Sequence, residues 1–348
     1  MSGYFLPHVE RMAGYVPGEQ PQRGGFIKLN TNENPYPPSP SALEAIRGAV
    51  GDRLRLYPDP VGAAFRVAAA RLHDVEPDMI LAGNGSDDLL TIITRAFAGP
   101  GDAVLCPTPS YILYRTLVEL QDARQVAVEY SPDWNLDPAV FANSGAKLAF
   151  LANPNSPSGT ALTTEDVGAL AEQFAGPFVV DEAYADFAAE HCVRLVATHP
   201  NVIVTRSFSK GYSLAGLRLG YLIARPDVVA GLIKVKDSYN CDTLSLVGGA
   251  AALDDTGYLA QTRGKVLATR QRLTAAVRAL GYQVPDSQAN FVWCTGGPPA
   301  AEIYERLKEQ KILVRLMRYP GYPDGLRITV GTDDEIDQLL VALRGLVS

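Results

Sequence analysis

The chain has 348 residues, enough for about two domains with sizeable cores. Its 47% hydrophobic and 20% charged content is that of a globular protein rather than a disordered or fibrous one. A formal net charge of −7 without any basic run argues against nucleic acid as a partner, and no stretch has the length and apolarity of a membrane span.

Small anions remain compatible with that charge, because one pocket can be positive while the whole molecule is negative. Cys106, Cys192, Cys241 and Cys294 are scattered, with neither metal-ligand nor disulfide spacing, and predict buried free thiols. The opening "MSGYFLPHVERMAGYVPG" lacks an apolar core of signal-peptide length, so a cytoplasmic protein is expected.

Residues 1–30, rich in Gly and Pro with scattered aromatics, read as an arm. Next, "DMILAGNGSDDLLTIITRAF" (78–97) predicts a short apolar strand, a glycine turn and a helix with Asp87 and Asp88 in its first turn. "DAVLCP", "KLAFLANPN", "PFVVDEAY" and "NVIVTRSFSK" predict four more strands, each ending in a polar or glycine-rich loop. "TTEDVGALAEQF" carries Val167, Leu170, Ala171 and Phe174 at helical spacing behind a threonine cap. Such alternation implies an α/β fold with a mostly parallel sheet covered by helices. After Asn240 helices dominate, followed by "KILVRLM" and "GLRITVGTDDEIDQLLVAL". There Leu326, Ile328 and Val330 alternate with Arg327 and Thr329, and Ile336, Leu339, Leu340 and Leu343 form a helical stripe. The expected organisation is an arm (1–30), a large domain (31–240) and a smaller α/β domain (241–348).

Chemistry-bearing residues cluster in the loops that follow the strands, the end at which open α/β sheets bind ligands. Lys210 closes "VTRSFSK" just after a β-branched run; a desolvated lysine there can lose its proton and attack a carbonyl, although the residue taken alone reads first as an ordinary strand-to-loop lysine. Gly83 and Gly85 precede a helix start, where open backbone N–H groups suit a phosphate. Asp181 ends a buried run as either a helix cap or a functional charge, with Tyr184 three residues on. Tyr111 and Tyr114 read as core or rim aromatics or as a stacking platform, and "NPNSPSG" as a tight turn. Arg327 points away from its strand's apolar face, either into solvent or into a cleft.

Taken together, "LNTNENPYPPSP", "LYPDP", "GNGSDD", "PTPSYILY", "NPNSPSG", "DEAYADF", "SFSKGYSLAGLRLG" and "LRITVGT" resemble, in order and spacing, the fold-type I aminotransferases that use pyridoxal phosphate. Within them the resemblance is to the histidinol-phosphate aminotransferase family and covers nearly the whole chain.

The resemblance implies a fold-type I homodimer and a role for each matching residue. Lys210 would hold pyridoxal 5′-phosphate as a Schiff base and then carry the proton at the substrate's α-carbon. Asp181 would keep the ring nitrogen protonated, Tyr184 would donate to the ring O3′, and Tyr111 would stack on the ring face. The phosphate would be held by the backbone N–H groups of Ser86 and Asp87, the hydroxyls of Ser207 and Ser209, and Arg218, with Tyr57 lent by the second subunit. One departure stands out: where the family has a second asparagine that bonds O3′, this chain reads Asn155, Ser156. Ser156 through a water, Tyr184 alone, or Asn155 would then serve O3′. Arg315 and Arg327 would hold the substrate's acidic group, with Tyr15 closing over it. The implied substrates are histidinol phosphate as amino donor and 2-oxoglutarate as acceptor, in histidine biosynthesis. Related activities on the same scaffold include transamination of aromatic amino acids and decarboxylation of threonine phosphate; a non-catalytic binding protein would not need all these cofactor residues.

Overall fold

A strand covered on both faces needs an unbroken apolar run, and the segments Leu148–Ala152 and Phe178–Asp181 are buried along their whole length. They form the centre of the main sheet in the structure, a computed structural model that describes residues 3–15, 17–21 and 24–347. Met1, Ser2, Val16, Gln22 and Arg23 of the expected arm, and Ser348, lie outside the described residues.

In chain order the strands are β1 (Ile27–Lys28), β2 (Ile80–Gly83), β3 (Ala103–Thr108), β4 (Arg124–Glu129), β5 (Leu148–Ala152), β6 (Phe178–Asp181), β7 (Val202–Ser207), β8 (Gly220–Ile223), β9 (Phe291–Cys294), β10 (Ile312–Leu313), β11 (Arg315–Met317) and β12 (Gly325–Thr329). The main sheet runs β2-β8-β7-β6-β5-β3-β4. Pairing is parallel from β4 across to β7, while β8 is antiparallel to both of its neighbours. All five strands expected from the sequence are present. The edge strand β4 was not foreseen: Arg124, Gln125 and Glu129 are exposed, so "RQVAVE" shows no continuous apolar run.

This topology brings the carboxyl ends of β2, β5, β6 and β7 to one edge, which is where Gly85, Asn155, Asp181 and Ser207 sit. The helix Ser86–Phe97 begins directly after the glycine turn. The helix Thr164–Gln173 is capped by Thr163, whose hydroxyl accepts the Asp166 N–H at 3.1 Å.

A second, antiparallel sheet, β11-β12-β9, packs with the helices Thr256–Ala279, Ala300–Glu309 and Asp333–Val347 around Val292, Ile328, Leu339 and Leu343. Packing crosses the expected boundaries on both sides. Leu29 joins this second core and β1 pairs with β10. The helix Thr243–Asp254 instead sends Leu246, Ala252 and Leu253 into the core of the main sheet, where Gly249 lets it approach Leu219 and Phe65. The changeover between cores falls within the long helix Thr256–Ala279, with Leu259 on the first and Val266 in the second. Among the described residues no helix is long and apolar enough to cross a membrane, and the four cysteines are buried and free.

Candidate active site

A cleft of ≈ 210 Å³ opens between the loops at the carboxyl edge of the main sheet and the strands β11 and β12. Lys210, Asp181, Tyr184, Tyr111, Ser86, Asp87, Ser156, Ser207, Ser209, Arg218, Tyr15, Arg315 and Arg327 all line it. A lysine, a carboxylate, a tyrosine and an arginine pair that sequence separates by up to 312 residues therefore share one cavity.

At its floor, Asp181 is 4% exposed and accepts from the Tyr114 hydroxyl at 2.9 Å and the Thr205 hydroxyl at 3.2 Å. Burial outweighs both donors and pushes the carboxyl from 3.8 up to about 6. Tyr114 lies flat against Phe150, with ring centres 4.9 Å apart, and meets Tyr111 edge-on at 5.6 Å. The Tyr111 hydroxyl donates to Asp87 at 3.2 Å.

The Lys210 amine donates to the Thr31 carbonyl at 3.0 Å and stands 5.8 Å from the Tyr184 ring centre. Burial, aided by the cation of Arg327, pulls the amine from 10.5 down to about 8, so near-neutral pH leaves a usable neutral fraction. Tyr184 packs edge-on against Phe291 at 5.0 Å, and its hydroxyl accepts from Asn32 Nδ2 at 2.9 Å.

One end of the cleft combines a helix start with an arginine. The helix Ser86–Phe97 starts at Gly85, which has no side chain to cap the first N–H groups and takes a φ of 85°. Arg218 reaches the same place, donating to the Ser209 hydroxyl at 3.3 Å and pairing with Asp87 at 3.5 Å. Two glycines keep the space open: a Cβ on Gly85 would lie 2.8 Å from Arg218 Nη2, and one on Gly220 2.6 Å from the Ser86 nitrogen.

At the opposite end Arg315 and Arg327 are direct cross-strand partners on β11 and β12, which sets both guanidinium groups toward the cavity. Arg327 donates to the Ser156 hydroxyl at 2.9 Å and to the Asn30 carbonyl at 3.2 Å, and its cation lies 5.2 Å from the Phe291 ring centre. Of the two sequence-level alternatives for Arg327, the cleft is the one realised. Arg315 donates to the Pro17 carbonyl at 3.2 Å, which ties the arm to the site, and Tyr15 meets Tyr111 edge-on at 6.4 Å.

Two expected contacts are placed elsewhere. Asn155 does not line the cavity: it accepts from Ser110 at 2.9 Å and donates to Pro109 at 3.1 Å and Ser158 at 2.9 Å, so its amide serves the turn. Tyr57 does not line it either; its ring is 80% exposed and stacked on Tyr239 at 4.4 Å.

Other site residues carried no expectation. Residues 30–33 all line the cleft, and Tyr319 closes it beside the arginines, donating to the Ser110 carbonyl at 3.1 Å. Turn-type asparagines near the N-terminus carry no sign that they will be buried; "LNTNENPYPPSP" marked the segment but not its atoms.

The comparisons agree with this geometry. A family model for aminotransferase class I and II matches residues 25–343. The chain is 48% identical over 342 residues to the histidinol-phosphate aminotransferase of Rhodopirellula baltica, covering 97% of this chain and 94% of that one. It is 47% identical over 349 residues to histidinol-phosphate aminotransferase 1 of Trichormus variabilis, covering all of both chains. Among solved structures, the histidinol-phosphate aminotransferase of Sinorhizobium meliloti in complex with pyridoxal-5′-phosphate superposes with a TM-score of 0.92 at 30% identity, covering 100% of this chain and 98% of that one. With a full-length family match and a cleft that gathers the lysine, the carboxylate and the residues of the glycine turn, this chain belongs to the class I and II aminotransferases.

Proposed function

We propose that this aminotransferase moves the amino group of histidinol phosphate to 2-oxoglutarate with pyridoxal 5′-phosphate as cofactor, in the cytoplasm and as a homodimer. The observation that carries the reading is the 47–48% identity, along essentially the whole chain, to relatives named for that donor. The paired arginines of β11 and β12 support it, since two planar forks in register suit a phosphate or a carboxylate.

The residues present suit the cofactor. A buried carboxylate lines the cavity with no cationic partner among the described residues, a lysine of lowered pKa lines the same cavity, and a glycine-lined helix start with Arg218 is open to a phosphate. When bound, pyridoxal phosphate supplies an aldehyde that takes up amines and a ring that accepts the electrons released at the substrate's α-carbon. The chain does the rest. Lys210 anchors the cofactor, and its amine, neutral in part at pH 7–8, takes the proton from the substrate's α-carbon. Asp181, ionised above about pH 6, holds a proton on the ring nitrogen. Tyr184 donates to the ring's O3′ and Tyr111 packs on its face. Ser86 and Asp87 through their N–H groups, Ser207 and Ser209 through their hydroxyls, and Arg218 hold the phosphate. Ser156, already engaged with Arg327, acts on the acidic-group end rather than on O3′. Tyr15 and Tyr319 cover the arginines and keep water from the acidic group.

The test is a donor and acceptor screen on the purified protein with product identification. Histidinol phosphate with 2-oxoglutarate is expected to give the highest kcat/KM and glutamate as product, with dephosphorylated histidinol much poorer. A higher kcat/KM for an aromatic amino acid, or CO2 as product from threonine phosphate, overturns it.

A further inference from the structure

Tyr184 has one hydroxyl proton, and where it points decides whether the residue is a donor into the cleft. Its partner Asn32 is 1% exposed and sits at a φ of 56°, a left-handed conformation that asparagine tolerates better than other L-residues. Strained, buried residues of this kind are held by their surroundings, and here the contacts are countable. The Asn32 backbone N–H donates to Thr329 Oγ1 at 3.0 Å, and Thr329 Oγ1 lies 3.1 Å from Asn32 Oδ1. The Asn32 carbonyl accepts from Asn290 Nδ2 at 3.0 Å.

Those contacts set the direction of the hydrogen bonds that run from Thr329 through Asn32 to Tyr184. Thr329 is 1% exposed, and among the described residues Asn32 Oδ1 is the one acceptor placed for its hydroxyl proton, so the hydroxyl donates there while its oxygen takes the Asn32 backbone N–H; a reversed amide would leave that buried proton unpaired. The atom of Asn32 that receives this proton is its carbonyl oxygen, which settles the amide orientation and turns Nδ2 toward Tyr184 at 2.9 Å. The Tyr184 oxygen is therefore an acceptor toward Asn32, and its own proton is left to point into the cleft. Bonds aligned head to tail polarise one another and make that last hydroxyl a stronger donor.

We propose that Thr329 and Asn32 form a hydrogen-bond relay that holds Tyr184 as a one-way donor into the cofactor site, making both of them positioning residues for the reaction. Thr329 lies on β12 two residues after Arg327, so the strand that carries the acidic-group arginine also sets the Tyr184 proton. Burial raises the Tyr184 phenol, while Arg327 and the Asn32 bond pull it back. The charged and titratable groups around it are Arg327, Asp181 and Tyr15, with Tyr111 and Tyr319 further along the cleft and the Lys210 amine over its ring. The proposal rests on Tyr184 donating to the cofactor's O3′.

The test is the pH midpoint at which the visible absorbance of the purified, cofactor-loaded protein changes, followed in wild type and four variants. Tyr184→Phe removes the donor and serves as the reference. Asn32→Asp keeps size and left-handed tolerance but offers an acceptor, which draws the Tyr184 proton away from the cleft. Thr329→Val removes the relay hydroxyl without adding charge, and Thr329→Ser restores it. An O3′ that loses a strong donor holds a neighbouring proton more tightly, so Tyr184→Phe, Asn32→Asp and Thr329→Val are expected to raise the midpoint by roughly one pH unit. Thr329→Ser is expected to keep the wild-type value. If Tyr184→Phe moves the midpoint while Asn32→Asp and Thr329→Val leave it at the wild-type value, the relay is overturned and the Tyr184 role stands. If Tyr184→Phe leaves it unmoved, the Tyr184 role falls and the relay with it. Should Asn32→Asp fail to fold, the Thr329→Val and Thr329→Ser pair decides alone.

Discussion

Asp181 and Lys210 show what single residues cost when function requires them buried. Both hold pKa values displaced toward their neutral forms, because burial penalises charge more than the available partners offset it. For Asp181 the folded value of about 6 lies above the ordinary 3.8, so the folded, cofactor-free protein binds this proton more tightly than the unfolded chain. Its contribution to stability is whole below about pH 4 and is lost as the pH rises through about 6. Asp181→Asn is therefore expected to raise the melting temperature of the cofactor-free protein at pH 8, with the gain shrinking toward pH 5. Differential scanning calorimetry at the two pH values checks this, and a gain of equal size at both would show that the buried charge is not its cause.

At the scale of elements, the anion-binding end depends on how closely β8 and the helix Ser86–Phe97 approach. Gly220 permits that approach: a Cβ there would lie 2.6 Å from the Ser86 nitrogen and 2.8 Å from the Gly85 carbonyl carbon, both backbone atoms that cannot swing aside. Gly220→Ala should push the helix start outward, costing about 1–3 kcal/mol of stability. A shift of that kind should also weaken cofactor binding by about tenfold or more, since each 1.4 kcal/mol of lost interaction is a factor of ten. Titration of the cofactor-free variant with pyridoxal phosphate, followed by protein fluorescence, measures it; unchanged affinity would mean that the helix start does not hold the phosphate. "GNGSDD" made this turn legible in the sequence, because glycine before a helix start is a local signal. The partner strand's glycine was not legible, since only the sheet register, which pairs Gly220 with Gly83, brings it against Gly85 and Ser86.

At the scale of the whole molecule, a single copy leaves Tyr57 outside its own cleft, 80% exposed and near the exposed Leu54 and Leu56. Under the proposed homodimer, Tyr57 serves the phosphate of the other subunit. Mixing Tyr57→Ala with Lys210→Ala protein is then expected to restore part of the wild-type activity, because one site of each hybrid dimer keeps both residues. Assays before and after subunit exchange check this, and no recovery in proven hybrids would rule out the shared site.

The sequence by itself determined the five apolar strands, the turns at their ends and the cap at Thr163, and it marked Lys210 and Asp181 as candidates at strand ends, whereas Arg218 was singled out only by the resemblance. These are local properties: apolar runs, helical spacing and turn composition reflect the immediate environment of each residue. Edge strand β4 escaped because a half-solvated strand has no such run, and the packing of the helix Thr243–Asp254 on the main-sheet core was not legible because its apolar side is as compatible with one core as with the other. Only the tertiary structure decided that Ser156 meets Arg327, that Arg315 stands opposite Arg327, and that Asn32 lies between Thr329 and Tyr184. Each of those pairings depends on sheet register or on loops meeting across 152 to 297 residues of chain, and the direction of a hydrogen bond exists only once both partners are in place.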